Sequence, residues 1–196
     1  MNQPDVRTAM EGDRERALYT MTLAFAADPL MRWIMPSAQN YLATFGDLTT
    51  HYGGPSIGLN TCFVTDGVEG AAMWLPPGVS PDEEAMGALM MANLAPEKPA
   101  GVFELLAKMT SYHPHDEDCW YLAMIGVDPG HQKKGMGAAL MKHATAMLDE
   151  NGWLGYLESS NPMNISLYQR HGFEIMDEIQ VGDSPVVTPM IRPRRT

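Results

Sequence analysis

Two stretches of the chain gather residue types that could do chemistry. The first is Val127-Asp128-Pro129-Gly130-His131-Gln132-Lys133-Lys134-Gly135-Met136-Gly137-Ala138, which leaves an apolar segment, passes a glycine-bearing turn and enters a helical pattern. A helix that starts there leaves its first backbone N–H groups without partners and points the positive end of its dipole outward, which makes an anion site. Gly135 and Gly137 remove the Cβ atoms that would hold a phosphate away, while Lys133 and Lys134, with His131 nearby, add positive charge. A diphosphate suits such a site. The same residues have a plainer use, with the glycines allowing close helix-on-strand packing and the lysines solvated. The spacing is neither Gly-x-x-x-x-Gly-Lys-Ser/Thr nor a three-glycine dinucleotide fingerprint.

The second stretch is Leu157-Glu158-Ser159-Ser160-Asn161-Pro162-Met163-Asn164-Ile165-Ser166-Leu167-Tyr168-Gln169-Arg170-His171-Gly172-Phe173. Asn161 is a natural N-cap, Pro162 fits the first helical position, Arg170 and His171 suit the last turn, and Gly172 can close the helix in the left-handed region. Asn161, Asn164 and Tyr168 are three and four residues apart and share a helix face, where two amides and a phenol meet one groove. Read as structure alone, Tyr168 is a half-buried core tyrosine.

A rival cluster, His113-Pro114-His115-Asp116-Glu117-Asp118, collects imidazoles and carboxylates that could bind a metal. It lies in a polar loop without an ordered third ligand, so the reading is a solvated loop and no metal. The two cysteines, Cys62 and Cys119, lack metal-ligand spacing and read as buried free thiols.

The elements that must position these residues follow from periodicity and punctuation. Val6 to Ala9 reads as a first strand, Asp13 to about Ala27 as a helix stopped by Asp28-Pro29, and Leu30 to Tyr52 as two short helices. Asn60 to Thr65, Asp66-Gly67 and Val68 to Leu75 read as strand, two-residue turn and strand. Helices are expected from Pro81 to Ala95 and from beyond Pro99 to about Tyr112. Trp120 to Val127 is a continuous apolar run, as in a strand buried on both faces, and reads as the central strand. Helix, strand and helix follow at Gly135 to Glu150, Trp153 to Glu158 and Pro162 to His171, before closing strands near Phe173 to Val181 and Val186 to Ile191. On the 135–150 helix, Met136, Leu140, His143 or Ala144, and Met147 share a face, whereas Asp149 and Glu150 sit in the last turn, where the dipole disfavours acids. The fold class is α/β, with a mixed sheet.

At 196 residues the chain is the length of one domain, residues 1–196, able to bury a large core. Thirteen Lys+Arg against 24 Asp+Glu give a net charge of −11, which argues against nucleic acid as the main partner. No apolar run approaches a membrane span and no leader pattern opens the chain, so the expectation is no membrane and a cytoplasmic location. The 17 methionines suggest an adaptable core or pocket wall.

Taken together, Gln132-Lys133-Lys134-Gly135-Met136-Gly137, then Asn161-Pro162-Met163-Asn164 and Leu167-Tyr168-Gln169-Arg170-His171-Gly172-Phe173, resemble the GNAT superfamily of acyl-CoA-dependent N-acetyltransferases. The first segment is similar to that family's pyrophosphate loop and the second to its recurring Asn-x-x-Asn and Leu-Tyr-x-Arg-x-Gly-Phe ending. Ala26-Ala27-Asp28-Pro29-Leu30-Met31-Arg32, Trp74-Leu75-Pro76-Pro77 and Trp120 to Val127 resemble the puromycin N-acetyltransferase-like branch most.

The resemblance implies the GNAT fold, with a mostly antiparallel, twisted sheet of about six to seven strands flanked by helices. Its central strands splay at Ile125, Gly126 and Val127 to admit the pantetheine arm of acetyl-CoA. Gln132, Lys133, Lys134, Gly135, Met136, Gly137 and Ala138 would hold the pyrophosphate, and Asn161 and Asn164 would border the arm. Tyr168 would be the general acid for the departing thiolate, because a phenol with a reference pKa near ~10 keeps its proton at neutral pH. Glu158 and Glu69 are open candidates for the base, and Tyr19, Arg32 and Trp33 for the acceptor pocket. The implied activity is direct acetyl transfer to a primary amine of a small molecule, by a monomer or homodimer. The alternative is a non-catalytic CoA-binding or regulatory module of the same shape.

Overall fold

The computed structural model describes residues 4–93, 99–114 and 119–195. Seven strands form one sheet: β1 (Val6–Thr8), β2 (Cys62–Thr65), β3 (Gly70–Leu75), β4 (Cys119–Val127), β5 (Leu154–Ser159), β6 (Glu174–Ile175) and β7 (Thr188–Arg192). Their spatial order is β1-β2-β3-β4-β5-β7-β6. Every pairing is antiparallel except β4 with β5.

Helices α1 (Arg14–Ala24), α2 (Pro29–Ile34), α3 (Ala38–Tyr52) and α4 (Pro55–Gly58) fill the span between β1 and β2. Between β3 and β4 run α5 (Glu83–Asn93) and α6 (Pro99–Tyr112), and α7 (Met136–Asn151) and α8 (Ile165–Arg170) flank β5. One face of the sheet, with Val64, Ala71 and Met73, packs against a cluster containing Met21, Tyr41 and Phe45 of α1 and α3. The other, with Phe63, Ala72 and Trp74, packs against Leu140, Met141, Ala144 and Leu148 of α7. Ala144 therefore takes the buried place on α7 that it shared with His143 in the sequence pattern, and His143 is exposed.

Three expectations are corrected by the structure. The β2–β3 connection is a four-residue loop, 66–69, because the positive φ falls on Val68 (58°) and not on Asp66-Gly67. Val68 holds this costly conformation with its side chain buried, its N–H donating to Thr65 O at 2.8 Å, and its carbonyl accepting from Thr20 Oγ1. β4 is buried throughout only in its first four residues and then alternates, since β5 leaves it there. The Phe173 to Val181 segment is strand only at Glu174–Ile175, with one further bridge between Ile179 and Val187.

The acids in the last turn of α7 divide. Asp149 pairs with Arg192 of β7 through both oxygens, at 2.8 and 2.7 Å, and Arg192 Nε donates to His171 O at 2.8 Å. This guanidinium, only 1% exposed, ties the ends of α7 and α8 to β7 and holds the Asp149 carboxyl below the usual range. Nothing in the structure explains Glu150. Both cysteines are buried and neither forms a disulfide, and burial pushes the Cys62 thiol up to about 12.

Candidate active site

The site begins with a failure of pairing. β4 and β5 are in register only over Cys119–Leu154, Trp120–Gly155 and Tyr121–Tyr156. Beyond that β5 pairs with β7 alone, so β4 from Leu122 onward has an open edge. A register shift opposite Met73 and Trp74 leaves Ala123 as an extra residue in β4. Such a bulge re-aims side chains and increases local twist. Leu122 accordingly packs on the α7 side, while Ala123 and Met124 both pack on the side of α1 and α3.

The same register tells which main-chain groups face the opening. Asp128 N–H donates to Glu69 O at 2.8 Å, one step beyond the Gly70–Val127 pair. By the alternation of an antiparallel ladder, Gly126 then bonds toward β3, and the N–H and C=O groups of Ile125 and Val127 point to the open edge. Gly126 has another task. A Cβ there would lie 2.6 Å from Ala24 Cβ and 3.0 Å from Met21 Sδ, so its bareness is what lets α1 settle on β4.

The loop from β4 to α7 ends at Gly135, whose φ of 84° suits glycine. No side chain caps α7, and its first internal bond is Ala139 N–H to Gly135 O. The amides of Gly135, Met136, Gly137 and Ala138 thus precede the helix ladder and collect at its positive end. Lys133 also has a positive φ, 61°. Lys134 Nζ donates to Gly130 O and Gln132 Nε2 to Val127 O, each at 3.3 Å, so both side chains fold back over the turn. Gln132, Lys133 and Lys134 are exposed. These residues fit a diphosphate: uncapped amides, a glycine in the left-handed region and two lysines lie beside an open strand edge.

A cavity of about 100 Å³ lies in the opening, lined by Leu122 to Ile125 from β4, by Leu157, Glu158 and Ser160 from the β5 side, and by Asn164 and Tyr168. Tyr168 is 5% exposed, and burial, with Asp28 close by, raises its phenol well above the ordinary tyrosine value. Asn161 spends its side chain on Met163 N–H, at 3.0 Å, as the cap of a 3-10 turn at Pro162–Asn164 that runs into α8. Asn164 rather than Asn161 therefore shares the cavity with Tyr168.

Glu158 and Glu69 separate clearly. Glu69 stays in the β2–β3 loop, accepting from Thr65 Oγ1 at 3.2 Å, and lines neither this cavity nor the larger one beside it. Glu158 lines both. Its Oε2 is closed to solvent and has no donor among the described residues. Burial pushes its carboxyl up to about 7, against the nearby phenols of Tyr121 and Tyr156, which favour the charged form. Neither phenol bonds Oε2, and Tyr156 Oη is itself without a partner among the described residues. Tyr52 and Tyr121 share a short hydroxyl–hydroxyl bond beside them. Tyr19, Arg32 and Trp33 line neither cavity.

Sequence reasoning did not find Ser160, Asp28, Tyr52, Tyr121 or Tyr156 as parts of this neighbourhood. Asp28 and Ser160 meet only through the fold, and the tyrosines sit on separate elements without a shared spacing. Of the rival metal cluster, His115, Asp116, Glu117 and Asp118 lie outside the described residues; His113 packs its ring against Tyr121 and Tyr156 at 5.0 and 4.8 Å. Among the described residues no group of three or more His, Cys, Asp or Glu is placed to hold a metal ion, and no helix is long and apolar enough to cross a membrane.

Comparison with known proteins agrees with this geometry. Residues 97–175 match the family model described as an acetyltransferase (GNAT) domain. The fold is similar to that of a Corynebacterium glutamicum protein described as histone acetyltransferase HPA2 and related acetyltransferase, with 22% identity, a TM-score of 0.69, and coverage of 100% of this chain and 98% of that one. A Drosophila melanogaster polyamine N-acetyltransferase, described as forming N-acetylagmatine, matches at 16% identity and TM-score 0.65, over 96% and 99% of the two chains. Arylalkylamine N-acetyltransferase 2 of Aedes aegypti matches at 14% and 0.65, over 98% and 99%. Residues 97–175 thus match an acetyltransferase (GNAT) domain, and at least 96% of the chain shares its fold with these solved acetyltransferases.

Proposed function

We propose that the protein is an N-acetyltransferase that moves the acetyl group of acetyl-CoA directly to a primary amine of a small molecule. The observation that carries this reading is the placement of Tyr168 and Glu158 on one cavity inside the β4–β5 opening. Acetyl-CoA supplies the activated thioester. Ile125 and Val127 offer main-chain groups along the open edge, and the amides from Gly135 to Ala138, with Lys133 and Lys134, face the diphosphate. Asn164 borders the arm.

Glu158 takes a proton from the acceptor ammonium at Oε2, which makes the nitrogen nucleophilic. The nitrogen–carbon bond forms as the carbon–sulfur bond breaks, and Tyr168 gives its Oη proton to the leaving sulfur. A second nitrogen proton restores Tyr168, and one proton per turnover is released to solvent from Glu158. A main-chain N–H at Ile125 or Val127 is the donor available to the carbonyl oxygen. Within the superfamily we place the chain nearest the puromycin N-acetyltransferase-like branch, on Ala26 to Arg32 and Trp74 to Pro77.

The test is thiol release from acetyl-CoA by the full chain with a panel of primary amines. Acceptor-dependent release that is lost in Tyr168→Phe supports the enzyme. Tight acetyl-CoA binding with no release for any amine supports the non-catalytic module instead.

A further inference from the structure

Beside the β4–β5 opening lies a larger cavity of about 510 Å³, between α5, α6 and the segment that follows β3. Its volume falls in the range of roughly 300–1,000 Å³ typical of sites that enclose a small molecule. Val79, Met86, Met90, Phe103, Leu106 and Met109 form its apolar wall. It meets the first cavity along a shared wall of Tyr52, Met86, Met90, Leu106, Met109 and Glu158, which line both.

Polar groups reach this cavity from Ser80, Glu83, Thr110, His113 and Glu158, beside the phenols of Tyr52 and Tyr121, and they are unequally placed. Glu158 Oε2 is closed to solvent and lacks a donor among the described residues, and an ammonium group supplies one. Thr110 spends its hydroxyl on Leu106 O at 3.1 Å. Glu83 is exposed, where solvent and salt screen its charge. Among the described residues no Lys or Arg lines the cavity, so an acceptor with a carboxylate finds no counter-charge from them. A second cation on the acceptor would lose its hydration against thioethers and a phenyl ring. An apolar body fits instead, and the methionines adapt to its shape.

We infer that this cavity is the acceptor site, and that the acceptor is a primary amine on an uncharged apolar body, its nitrogen at Glu158 and its body against the methionines and Phe103. The inference rests on the acetyl-transfer reading above and adds to it the entry side and the chemistry of the acceptor.

The experiment measures thiol release at saturating acetyl-CoA with 2-phenylethylamine and hexylamine, 1,5-diaminopentane and spermidine, and phenylalanine, for the wild type and Phe103→Asp. The half-exposed position of Phe103 lets the variant fold, and unchanged acetyl-CoA binding verifies it. The two apolar monoamines should exceed the diamine, the polyamine and the amino acid in kcat/KM by about tenfold or more, an advantage equal to about 1.4 kcal/mol. Phe103→Asp should shrink that ratio by about the same factor, through KM. A preference for the diamine, the polyamine or the amino acid, or a ratio that Phe103→Asp leaves untouched, overturns the inference while acetyl transfer stands. Bound acetyl-CoA with no release for any amine overturns the transfer reading itself, and the inference with it.

Discussion

Ser160 Oγ donates to Asp28 Oδ2 across 2.7 Å, joining residues 132 positions apart. Asp28 Oδ1 accepts from the amides of Leu30 and Met31 at 3.0 and 3.1 Å. One buried carboxylate therefore caps α2 and fastens the α1–α2 corner to the end of β5, beside the cavity that holds Tyr168. Ser160→Ala removes a donor from that carboxylate and should cost about 1–3 kcal/mol in urea unfolding. Burial already pushes the Asp28 carboxyl above its usual range. Its folded-state value thus exceeds the unfolded one, so the charged form costs stability, and more of it is lost as pH rises. The Ser160→Ala deficit should be largest near neutral pH and shrink as pH falls through the raised folded-state value of the Asp28 carboxyl. A deficit independent of pH contradicts this account.

Tyr168→Phe keeps the ring that packs near Phe173 and removes the transferable proton. We expect kcat to fall by about 10²–10⁴, the usual range for such proton transfer, with acetyl-CoA affinity unchanged. Steady-state kinetics beside calorimetry separates the two quantities. An unaltered kcat removes Tyr168 from the mechanism.

Glu158 must be deprotonated to accept the ammonium proton, and its carboxyl is pushed up to about 7. In the pH profile, kcat should therefore rise through about pH 7 and level off above it. Glu158→Gln should lower kcat and abolish that limb. Tyr156→Phe deletes a phenol that favours the charged carboxylate, so the limb should move to higher pH. Among the described residues, the titratable groups around Glu158 are Tyr52 from α3, Glu83 from α5, Tyr121 from β4, Tyr156 from β5, Tyr168 from α8 and His113 beyond α6. A limb that stays in place in both variants assigns it to another group.

Asp149→Ala leaves the Arg192 guanidinium buried without its partner. The loss should fall between the ~1 kcal/mol of a surface pair and the ~5 kcal/mol of a fully buried one, because Asp149 keeps 36% side-chain exposure. The Asp149 carboxyl is held below its usual value, so its contribution is present above the unfolded value and vanishes as pH falls through the folded one. Urea melts of wild type and variant should converge on acidification. Equal stability at neutral pH contradicts the role given to this pair.

What the sequence made legible was local punctuation. Asp128-Pro129, Gly135, Asn161-Pro162 and Gly172 mark boundaries by backbone chemistry that needs no tertiary partner: β4 ends at Val127 as expected, α7 starts one residue after Gly135, and the helical turns after Asn161 close at Gly172. Val68 shows the converse: a β-branched residue takes a positive φ because its side chain is buried and its carbonyl is claimed by Thr20. The departure of β5 from β4 is a matter of pairing, and no single-strand pattern records it. For the same reason Glu158 and Glu69 look alike in sequence and differ only once the strands are placed, and Asp149 finds its reason only in Arg192, 43 residues on.

The central claim is that the open edge of β4 and the uncapped start of α7 bind acetyl-CoA. It is tested most directly by calorimetric titration of the full chain with acetyl-CoA, repeated with the Lys133→Ala, Lys134→Ala double variant. The account predicts saturable binding at about one molecule per chain in the wild type and a weaker constant at the same stoichiometry in the variant, the difference shrinking with added salt. No binding by well-folded wild-type protein contradicts it.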